Sequence, residues 1–157
     1  MRDLTDFVIE SNLIEGIDRP ALPTEIEAYK EFLGLAKITV ADLEAFVDVI
    51  QPGAKLRREV GMDVGVGDYI PHTPLNLRQL TQPRGGAMIE SELLIILGRI
   101  DGSSLTPYEA HIRYERLHPF LDGNGRSGRV LWLWMMGGKS PLGFLHSFYY
   151  QTLSAAR

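Results

Sequence analysis

The sequence predicts a single, mainly α-helical domain, a compact helical bundle with one β-hairpin, and three observations support this prediction. Apolar residues recur at helical spacing in several separate segments. Prolines and glycines divide those segments into lengths of one helix each. One glycine-rich stretch, KLRREVGMDVGVGDYIPHTP, instead alternates apolar residues with others, which is typical of a hairpin. At 157 residues the chain is long enough for one domain with a hydrophobic core.

The first two helices are indicated by apolar spacing and by proline. Residues Leu4 to Ile17 predict a first helix with its apolar side chains roughly on one side. Pro20 and Pro23 end it, because proline cannot continue a helix. Thr24 and Glu27 then fit a capping box, a pattern that opens a helix, and predict a second helix that starts there.

The third helix has the clearest spacing in the chain. Four apolar residues follow one another at i, i+3, i+4 and i+7, namely Leu43, Phe46, Val47 and Ile50. Pro52 and Gly53 end this helix. The hairpin is predicted next, around residues 60–70, and a short helix follows Pro74.

Four further helices are predicted in the second half of the chain. Residues Ala87 to Ile100 form one that we expect to be buried, since it is apolar on several sides. Thr106-Pro107-Tyr108-Glu109 predicts the start of the next, with a capping threonine, a proline in the first position and a glutamate in the third. Another begins after Gly123 and ends at Gly137-Gly138, and the last covers roughly Pro141 to Leu153.

Composition argues against several classes of function. The net charge is −4, so the chain lacks the general positive charge that favours nucleic-acid binding. It has no cysteine, which excludes disulfides and thiolate metal sites. The longest apolar runs, LLII and VLWLWMM, are too short to cross a bilayer, and the opening MRDLTDFVIE lacks the pattern of a secretory signal. We therefore expect a cytoplasmic protein that binds neither membrane nor nucleic acid.

Three familiar motifs fit parts of the stretch HPFLDGNGRSGR and its surroundings, but none fits fully. GNGRSG satisfies G-x-G-x-x-G, yet a predicted helix rather than a strand precedes it, and no acidic residue follows Asp122. GGKS lacks the first glycine of a P-loop, because residue 133 is leucine. DGNG begins like a calcium-binding loop, but its third ligand position is Arg126 and its twelfth is Leu133. All three interpretations are therefore rejected.

The same stretch suits the binding of phosphates. Gly123 and Gly125 flank Asn124 just before a predicted helix, where accessible backbone N–H groups and the helix dipole favour anions. Arg126 and Arg129 are three positions apart, so a helix places them on one face, where both can meet phosphate oxygens. The sequence therefore predicts a phosphate site at the start of this helix.

Two more side chains add chemistry to that site. Asp122 is a lone carboxylate beside the predicted phosphates, which is typical of a Mg²⁺ ligand, and Mn²⁺ has the same preference for oxygen. His118 ionises near neutral pH and is the natural general base. A glycine-rich turn whose histidine and aspartate only cap helices is the simpler alternative, but such a turn does not require two spaced arginines as well.

With these residues in view, the chain resembles the Fic-domain family. HPFLDGNGRSGR matches the family signature H-P-F-x-D/E-G-N-G-R-x-x-R at every specified position. AHIRYERLHPF, the predicted hairpin and FYYQTL near the end are also similar to the family's core. The resemblance implies the Fic fold, a helical bundle with a hairpin flap. Family members with this motif typically transfer AMP from ATP to a hydroxyl side chain of a target protein and release pyrophosphate.

The resemblance also implies roles for individual residues. His118 would take the proton from the target hydroxyl, Asp122 would hold Mg²⁺, and Arg129 would bind the γ-phosphate. The remaining phosphate contacts would come from Gly123, Asn124, Gly125 and Arg126. The hairpin at about residues 60–70 would dock the target segment as an added strand, a mode that relies on backbone hydrogen bonds and tolerates varied sequences.

The predicted first helix contains SNLIEG, which is similar to the family's autoinhibitory pattern S/T-x-x-x-E-G/N. Ser11 and Glu15 are about one helical turn apart, so both can face the same groove. The resemblance implies that Glu15 forms a bidentate pair with Arg129 and takes the place of the γ-phosphate. On this interpretation residues 1–18 are an autoinhibitory helix packed on a catalytic core, residues 19–157. The alternative is that Glu15 is an ordinary solvated glutamate.

The sequence thus predicts a protein adenylyltransferase that uses ATP and Mg²⁺ (or Mn²⁺), is restrained by Glu15, and modifies a serine, threonine or tyrosine of a target protein or of itself. Two other functions stay open. A phosphodiesterase that removes AMP from a modified protein could use the same residues, with Glu15 orienting water. A non-catalytic module could sense ATP through the same phosphate site.

Overall fold

The computed structural model describes residues 4–64 and 84–139. Within these ranges the chain forms six α-helices: α1 (Leu4–Ile14), α2 (Pro23–Leu33), α3 (Val40–Ile50), α4 (Ala87–Asp101), α5 (Pro107–Leu117) and α6 (Asn124–Met135). The prediction of a mainly helical fold is confirmed. Most of the predicted hairpin, the helix after Pro74 and the helix from Pro141 lie outside the described residues. In the two described ranges, no helix has the length and apolar composition to cross a membrane.

Helix α6 lies at the centre of the bundle and packs against α1, α2, α3 and α5. Its consecutive residues Val130 to Leu133 are all buried, which explains why this segment is apolar on every side rather than along one stripe. Phe7 and Val8 of α1 belong to the same hydrophobic core. Because the core holds α6 from several directions, the position of its N-terminus is fixed. That end of the helix lies within the stretch HPFLDGNGRSGR.

Two of the predicted helix starts are confirmed in detail. Thr106 caps α5, since its hydroxyl accepts the backbone N–H of Glu109 at 3.1 Å, and Pro107 occupies the first helical position. Helix α3 ends at Ile50, ahead of the Pro52-Gly53 pair. It begins with a cap that the sequence analysis did not identify, Thr39, whose hydroxyl accepts the N–H of Asp42 at 3.2 Å.

The predicted start of α2 is wrong by two residues. The helix begins at Pro23, and the carboxylate of Glu25, rather than Glu27, accepts the N–H of the preceding residue Leu22 at 2.8 Å. Proline at the first helical position has its φ angle already set and needs no N–H partner, so Pro23 opens the helix ahead of Thr24.

The expectation that α4 is buried is only half correct. Ile89 and Leu93 lie in the core, but Met88, Leu94 and Ile95 are 65%, 56% and 51% exposed. The helix therefore buries one side and presents an apolar surface on the other. Apolar residues on several sides of a helix predicted burial on several sides, but among residues 4–64 and 84–139 the packing covers only one of them.

A short extended pairing holds the segment that joins α5 to α6. Leu56 and Phe120 form an isolated antiparallel bridge. On either side of it, the N–H of Leu121 donates to the carbonyl of Lys55 and the N–H of Arg57 donates to the carbonyl of Pro119, both at 2.9 Å. The segment that precedes the predicted hairpin is thereby attached to the stretch HPFLDGNGRSGR.

Candidate active site

His118 follows the last residue of α5 and has a left-handed backbone with φ of 52°. Its Nδ1 lies 3.1 Å from the carbonyl oxygen of Glu115, which can only accept, so Nδ1 carries the proton and donates it. The other nitrogen, Nε2, is then the basic atom. Burial lowers the pKa of His118 below its usual value, and the charge of Arg57 lowers it further. At neutral pH the side chain is an unprotonated base.

The loop between His118 and α6 is closed by the side chain of Asn124. Its Oδ1 accepts the N–H of Phe120 at 2.8 Å, and its Nδ2 donates to the carbonyl of Phe120 at 2.7 Å. Phe120 itself is fully buried and anchors the loop in the core. The side-chain amide of Asn124 therefore shapes the loop. Of the predicted phosphate contacts of Asn124, only one through its backbone N–H remains.

Gly123 and Asp122 form the turn that leads into α6. Gly123 precedes the helix with φ of 79°, a left-handed conformation that favours glycine. Its N–H donates to Oδ1 of Asp122 at 2.7 Å, which orients a carboxylate that remains exposed. The first N–H groups of α6 have no carbonyl one turn earlier to pair with, so this end of the helix suits an anion.

A cavity of about 290 Å³ lies over this end of α6. It brings together His118, Asp122, Glu15 and the first residues of the helix, Gly123 to Arg126. Four more residues complete its lining, namely Ile17, Gln51, Glu115 and Leu121. The predicted base, metal ligand and phosphate-binding backbone thus share one cavity, together with the predicted inhibitory glutamate.

Arg126 and Arg129 contact different parts of the structure, although their spacing predicted that they share one helix face. The guanidinium of Arg126 is directed to the end of α3, where Nη1 donates to the carbonyl of Ile50 at 3.0 Å and Nη2 to Oε1 of Gln51 at 2.7 Å. Arg129 is directed to α1. Both arginines are almost fully buried, so in this structure each stabilises a contact between α6 and a different helix. A phosphate contact from Arg126 stays a prediction.

Arg129 joins α6 to the predicted inhibitory segment through three hydrogen bonds. Its Nε donates to the hydroxyl of Ser11 at 2.7 Å, and its Nη2 donates to the carbonyl of Ser11 at 3.0 Å. Nη2 also donates to Oε1 of Glu15 at 2.7 Å, which makes an ion pair. The side chain of Arg129 is 1% exposed and that of Glu15 is 37% exposed, so the pair lies at the edge of the cavity.

Gly125 explains how the Glu15 carboxylate reaches this position. A Cβ atom built on Gly125 would overlap Oε1 of Glu15 and would lie 3.1 Å from Nη1 of Arg129. The missing side chain therefore leaves space at the start of α6 that a carboxylate occupies here. An anion already sits where the helix end and Arg129 favour one, which supports the prediction of an anion site.

Glu115 and Arg57 belong to this region and were not identified from the sequence. Glu115 is 9% exposed, and its pKa is raised to about 8, mainly by burial, with the charge of Arg129 lowering it and that of Glu15 raising it. It precedes His118 by three residues, so the end of α5 places it beside the cavity. Arg57 contacts His118 from a segment far away in sequence. No local pattern indicates either residue.

Comparison with known proteins now identifies the fold. Residues 105–136, which include α5, the loop and α6, match the model of the Fic/DOC family. The chain is a Fic-domain protein. This confirms the resemblance that HPFLDGNGRSGR indicated, and the matched residues include His118, Asp122 and the start of α6, which line the cavity.

The Fic domain is also similar to curated relatives over most of its length. It is 32% identical to the protein adenylyltransferase Fic of Drosophila melanogaster and to that of Drosophila sechellia, over 142 residues that are 89% of this chain and 25% of each relative. It is 37% identical to the protein of the same name from Drosophila erecta over 98 residues, 61% of this chain and 18% of that one. The chain spans about a quarter of the length of the first two of these relatives.

Proposed function

We propose that this Fic domain is a protein adenylyltransferase, which transfers AMP from ATP to a hydroxyl group of a target protein. The observation that carries the proposal is the cavity in which His118, Asp122 and the N-terminus of α6 meet. The relatives named as adenylyltransferases support the same reaction. The target, which could include the chain itself, is proposed to dock on the segment at about residues 60–70, most of which lies outside the described residues.

His118 is proposed as the general base. The target hydroxyl would give its proton to Nε2, because Nδ1 already donates to the carbonyl of Glu115. The hydroxyl oxygen forms a bond to the α-phosphorus of ATP as the bond to the β-phosphate oxygen breaks, and pyrophosphate leaves. The low pKa of His118 keeps Nε2 unprotonated at neutral pH, ready for this step.

The phosphates are proposed to bind at the start of α6. Gly125 has no side chain of its own, so the backbone N–H groups at the start of α6 can approach an anion in the space that the Glu15 carboxylate now occupies. The N–H of Gly123 already donates to Asp122, so a phosphate would have to compete for it. Arg129 would bind the γ-phosphate with the guanidinium that now holds Glu15.

Asp122 fits a cation bound together with the phosphates. In the described part of the chain, no group of three or more metal-binding side chains comes together, so an ion at this place would depend on few protein ligands. Mg²⁺ and Mn²⁺ suit that arrangement, since they are held by one or two carboxylates and by phosphate oxygens. When bound, the ion would neutralise charge on the phosphates. The exposed carboxylate of Asp122, oriented by the N–H of Gly123, would be its protein ligand.

Regulation is proposed to occur through Glu15. The carboxylate of Glu15 and the γ-phosphate are anions that compete for Arg129. While Glu15 holds Arg129, ATP binds with its phosphates misplaced, and transfer is slow. The position of α1, which packs on α2 and α6, keeps Glu15 at this place.

A second function is favoured by the position of Glu15 in the same cavity as His118. A carboxylate beside the base could orient a water molecule for attack on an AMP-modified side chain, and the domain would then act as a phosphodiesterase.

Incubation of the purified chain with ATP and Mg²⁺, followed by mass spectrometry, tests the proposal. A gain of AMP on the chain, or on proteins of a lysate supplied with labelled ATP, supports transfer. Loss of AMP from a modified protein without any gain supports the phosphodiesterase. Binding of ATP with neither reaction, in the parent and in the Glu15→Gly variant, would leave only a module that senses ATP.

A further inference from the structure

Arg57 is a fully buried arginine, 0% exposed, that contacts the end of α5. Its Nε donates to the carbonyl of His118 at 2.7 Å, and its Nη2 donates to the carbonyl of Leu117 at 2.9 Å. Leu117 is the last residue of α5, and His118 is its C-cap. A guanidinium at this place satisfies carbonyls that the helix leaves without partners and complements the negative end of the helix dipole.

The position of Arg57 is itself fixed by its other contacts. Nη1 donates to the carbonyl of Met62 at 3.0 Å, in the turn where the N–H of Met62 pairs with the carbonyl of Glu59. The backbone N–H of Arg57 donates to Pro119, and its carbonyl accepts the N–H of Gly86, both at 2.9 Å. With its side chain and main chain both held, the guanidinium can act as a rigid support for whatever it contacts.

His118 needs such a support. Its left-handed backbone, with φ of 52°, is sterically unfavourable for a residue with a side chain. Conformations of this kind persist only where surrounding contacts impose them. Arg57 contacts both residues at the bend between α5 and the loop, and the direction of the imidazole depends on that bend.

We propose that Arg57 is the positioning residue of His118, which holds the end of α5 in the conformation that presents the imidazole to the cavity. Its effect on catalysis rests on the function proposed above, whereas its effect on the conformation of His118 does not.

The charge of Arg57 has a second effect on the same side chain. Burial lowers the pKa of His118 most, and the nearby positive charge of Arg57 lowers it further. The negative charges of Glu15 and Asp122 act in the opposite direction, as does the hydrogen bond to the Glu115 carbonyl. Loss of the charge of Arg57 should therefore raise the pKa of His118.

Three variants in the Glu15→Gly background separate geometry from charge. Arg57→Lys keeps the positive charge but replaces the planar guanidinium by a single ammonium group. Arg57→Met removes both the charge and the hydrogen-bond donors. Arg58→Met is the matched control, because Arg58 is exposed and pairs with Glu44 and Glu90 rather than with the site. We expect Arg57→Lys to lower kcat about ten- to a hundredfold with KM for ATP little changed, since the proposed ATP contacts lie on α6. Arg58→Met should keep the parental kcat.

Nuclear magnetic resonance of the nucleotide-free protein gives a readout that does not depend on AMP transfer. The backbone amide signals of Leu117 and His118 should move in Arg57→Lys and stay in place in Arg58→Met. The titration midpoint of the His118 imidazole should rise in Arg57→Met. If Arg57→Met does not fold, the amide signals of Arg57→Lys decide whether Arg57 holds His118 in place.

Unchanged amide signals in Arg57→Lys together with a parental kcat would overturn the proposal. A rise in KM with kcat unchanged would overturn it as well, because it would place Arg57 in ATP binding. If even the parent transfers no AMP, the proposed function fails, and the amide signals still decide whether Arg57 holds His118 in place.

Discussion

Nη2 of Arg129 donates a hydrogen bond of 2.7 Å to Oε1 of Glu15, a residue 114 positions earlier in the chain. Arg129 is buried and held at Nε by Ser11, whereas Glu15 is partly exposed. Of the two partners, the glutamate can therefore leave and the arginine cannot. An arginine that is fixed in place and paired with a replaceable carboxylate is suited to exchange one anion for another.

Glu15→Gly should activate AMP transfer. Removal of the carboxylate frees Arg129 for the γ-phosphate, so that the α-phosphate is presented for in-line attack. Charge-assisted hydrogen bonds are worth about 1.5–3 kcal/mol, which corresponds to a rise of about ten- to a hundredfold in rate. Auto-modification with labelled ATP measures the effect.

Two comparisons make this test specific. The double variant Glu15→Gly, Arg129→Ala should lose most of the gain, because the freed guanidinium is gone. Asp18→Gly removes an exposed acid from the same segment and should leave the rate unchanged. Equal rates for the parent and Glu15→Gly would mean that the Glu15–Arg129 pair is structural only.

Glu25→Gln should also increase AMP transfer, though less than Glu15→Gly. Glu25 is 2% exposed and accepts hydrogen bonds from Arg19 at 2.7 Å, Leu22 at 2.8 Å and Asn12 at 3.3 Å. It thus ties α1 and the turn after it, which carries Glu15, to the start of α2. A neutral amide weakens these contacts, so α1 should detach more often and the rate should rise about severalfold.

Hydrogen exchange of α1 and auto-modification should change together in Glu25→Gln. The matched control is Glu27→Gln, an exposed position on the same helix. Faster exchange in α1 with the parental rate of transfer would show that detachment of α1 does not release inhibition.

The sequence predicted most of the site because the site is nearly contiguous. His118, Asp122 and the glycines lie within twelve residues, and one bend between two helices is enough to bring them to one cavity. The pairing of Glu15 with Arg129 was also predicted, but only through the family resemblance. Helical spacing alone places Ser11 and Glu15 on one face and does not say which residue that face meets.

The contacts that the sequence did not predict connect distant segments. Arg57 and His118 are 61 positions apart, and Arg126 and Ile50 are 76 positions apart. Such pairs depend on how the helices pack, which local spacing does not specify. The start of α2 was missed for a different reason, since Pro23 and Thr24 both favour a helix start and the proline prevailed.

The rate of transfer should depend on pH through His118. Its pKa lies below the ordinary 6.5, first because of burial, so the side chain is already unprotonated at pH 7. A general base works only when unprotonated, and the rate of Glu15→Gly should therefore rise with pH, reach half its maximum below pH 6.5 and then level off.

His118→Ala should abolish transfer and leave ATP binding nearly intact. A midpoint above 6.5, or transfer at the parental rate in His118→Ala, would contradict the assignment.

Asp122→Ala should remove both transfer and its dependence on a divalent cation. The exposed carboxylate is proposed to hold Mg²⁺ or Mn²⁺ beside the phosphates, and alanine provides no ligand. Rates measured in the Glu15→Gly background across a range of Mg²⁺ and Mn²⁺ concentrations test this. Asp48→Ala, an exposed acid on α3, is the control and should keep the normal metal dependence. Full activity in the presence of a chelator would exclude a role for the cation.

Glu115→Gln should stabilise the fold increasingly as the pH rises from about 4.5 to about 8. Burial raises the pKa of Glu115 to about 8 from its usual 4.5, so between these values the folded protein holds a proton that the unfolded chain releases. Each rise in pH within this window therefore lowers the free energy of unfolding of the parent, whereas glutamine does not titrate. We expect nearly equal stability below pH 4.5 and a gain for the variant of up to a few kcal/mol near pH 8.

Glu92→Gln, at an exposed acid on α4, should show no comparable gain in stability. Denaturant unfolding of the three proteins across this pH range measures the difference, and a gain that does not change with pH would mean that Glu115 is not held neutral in the folded state.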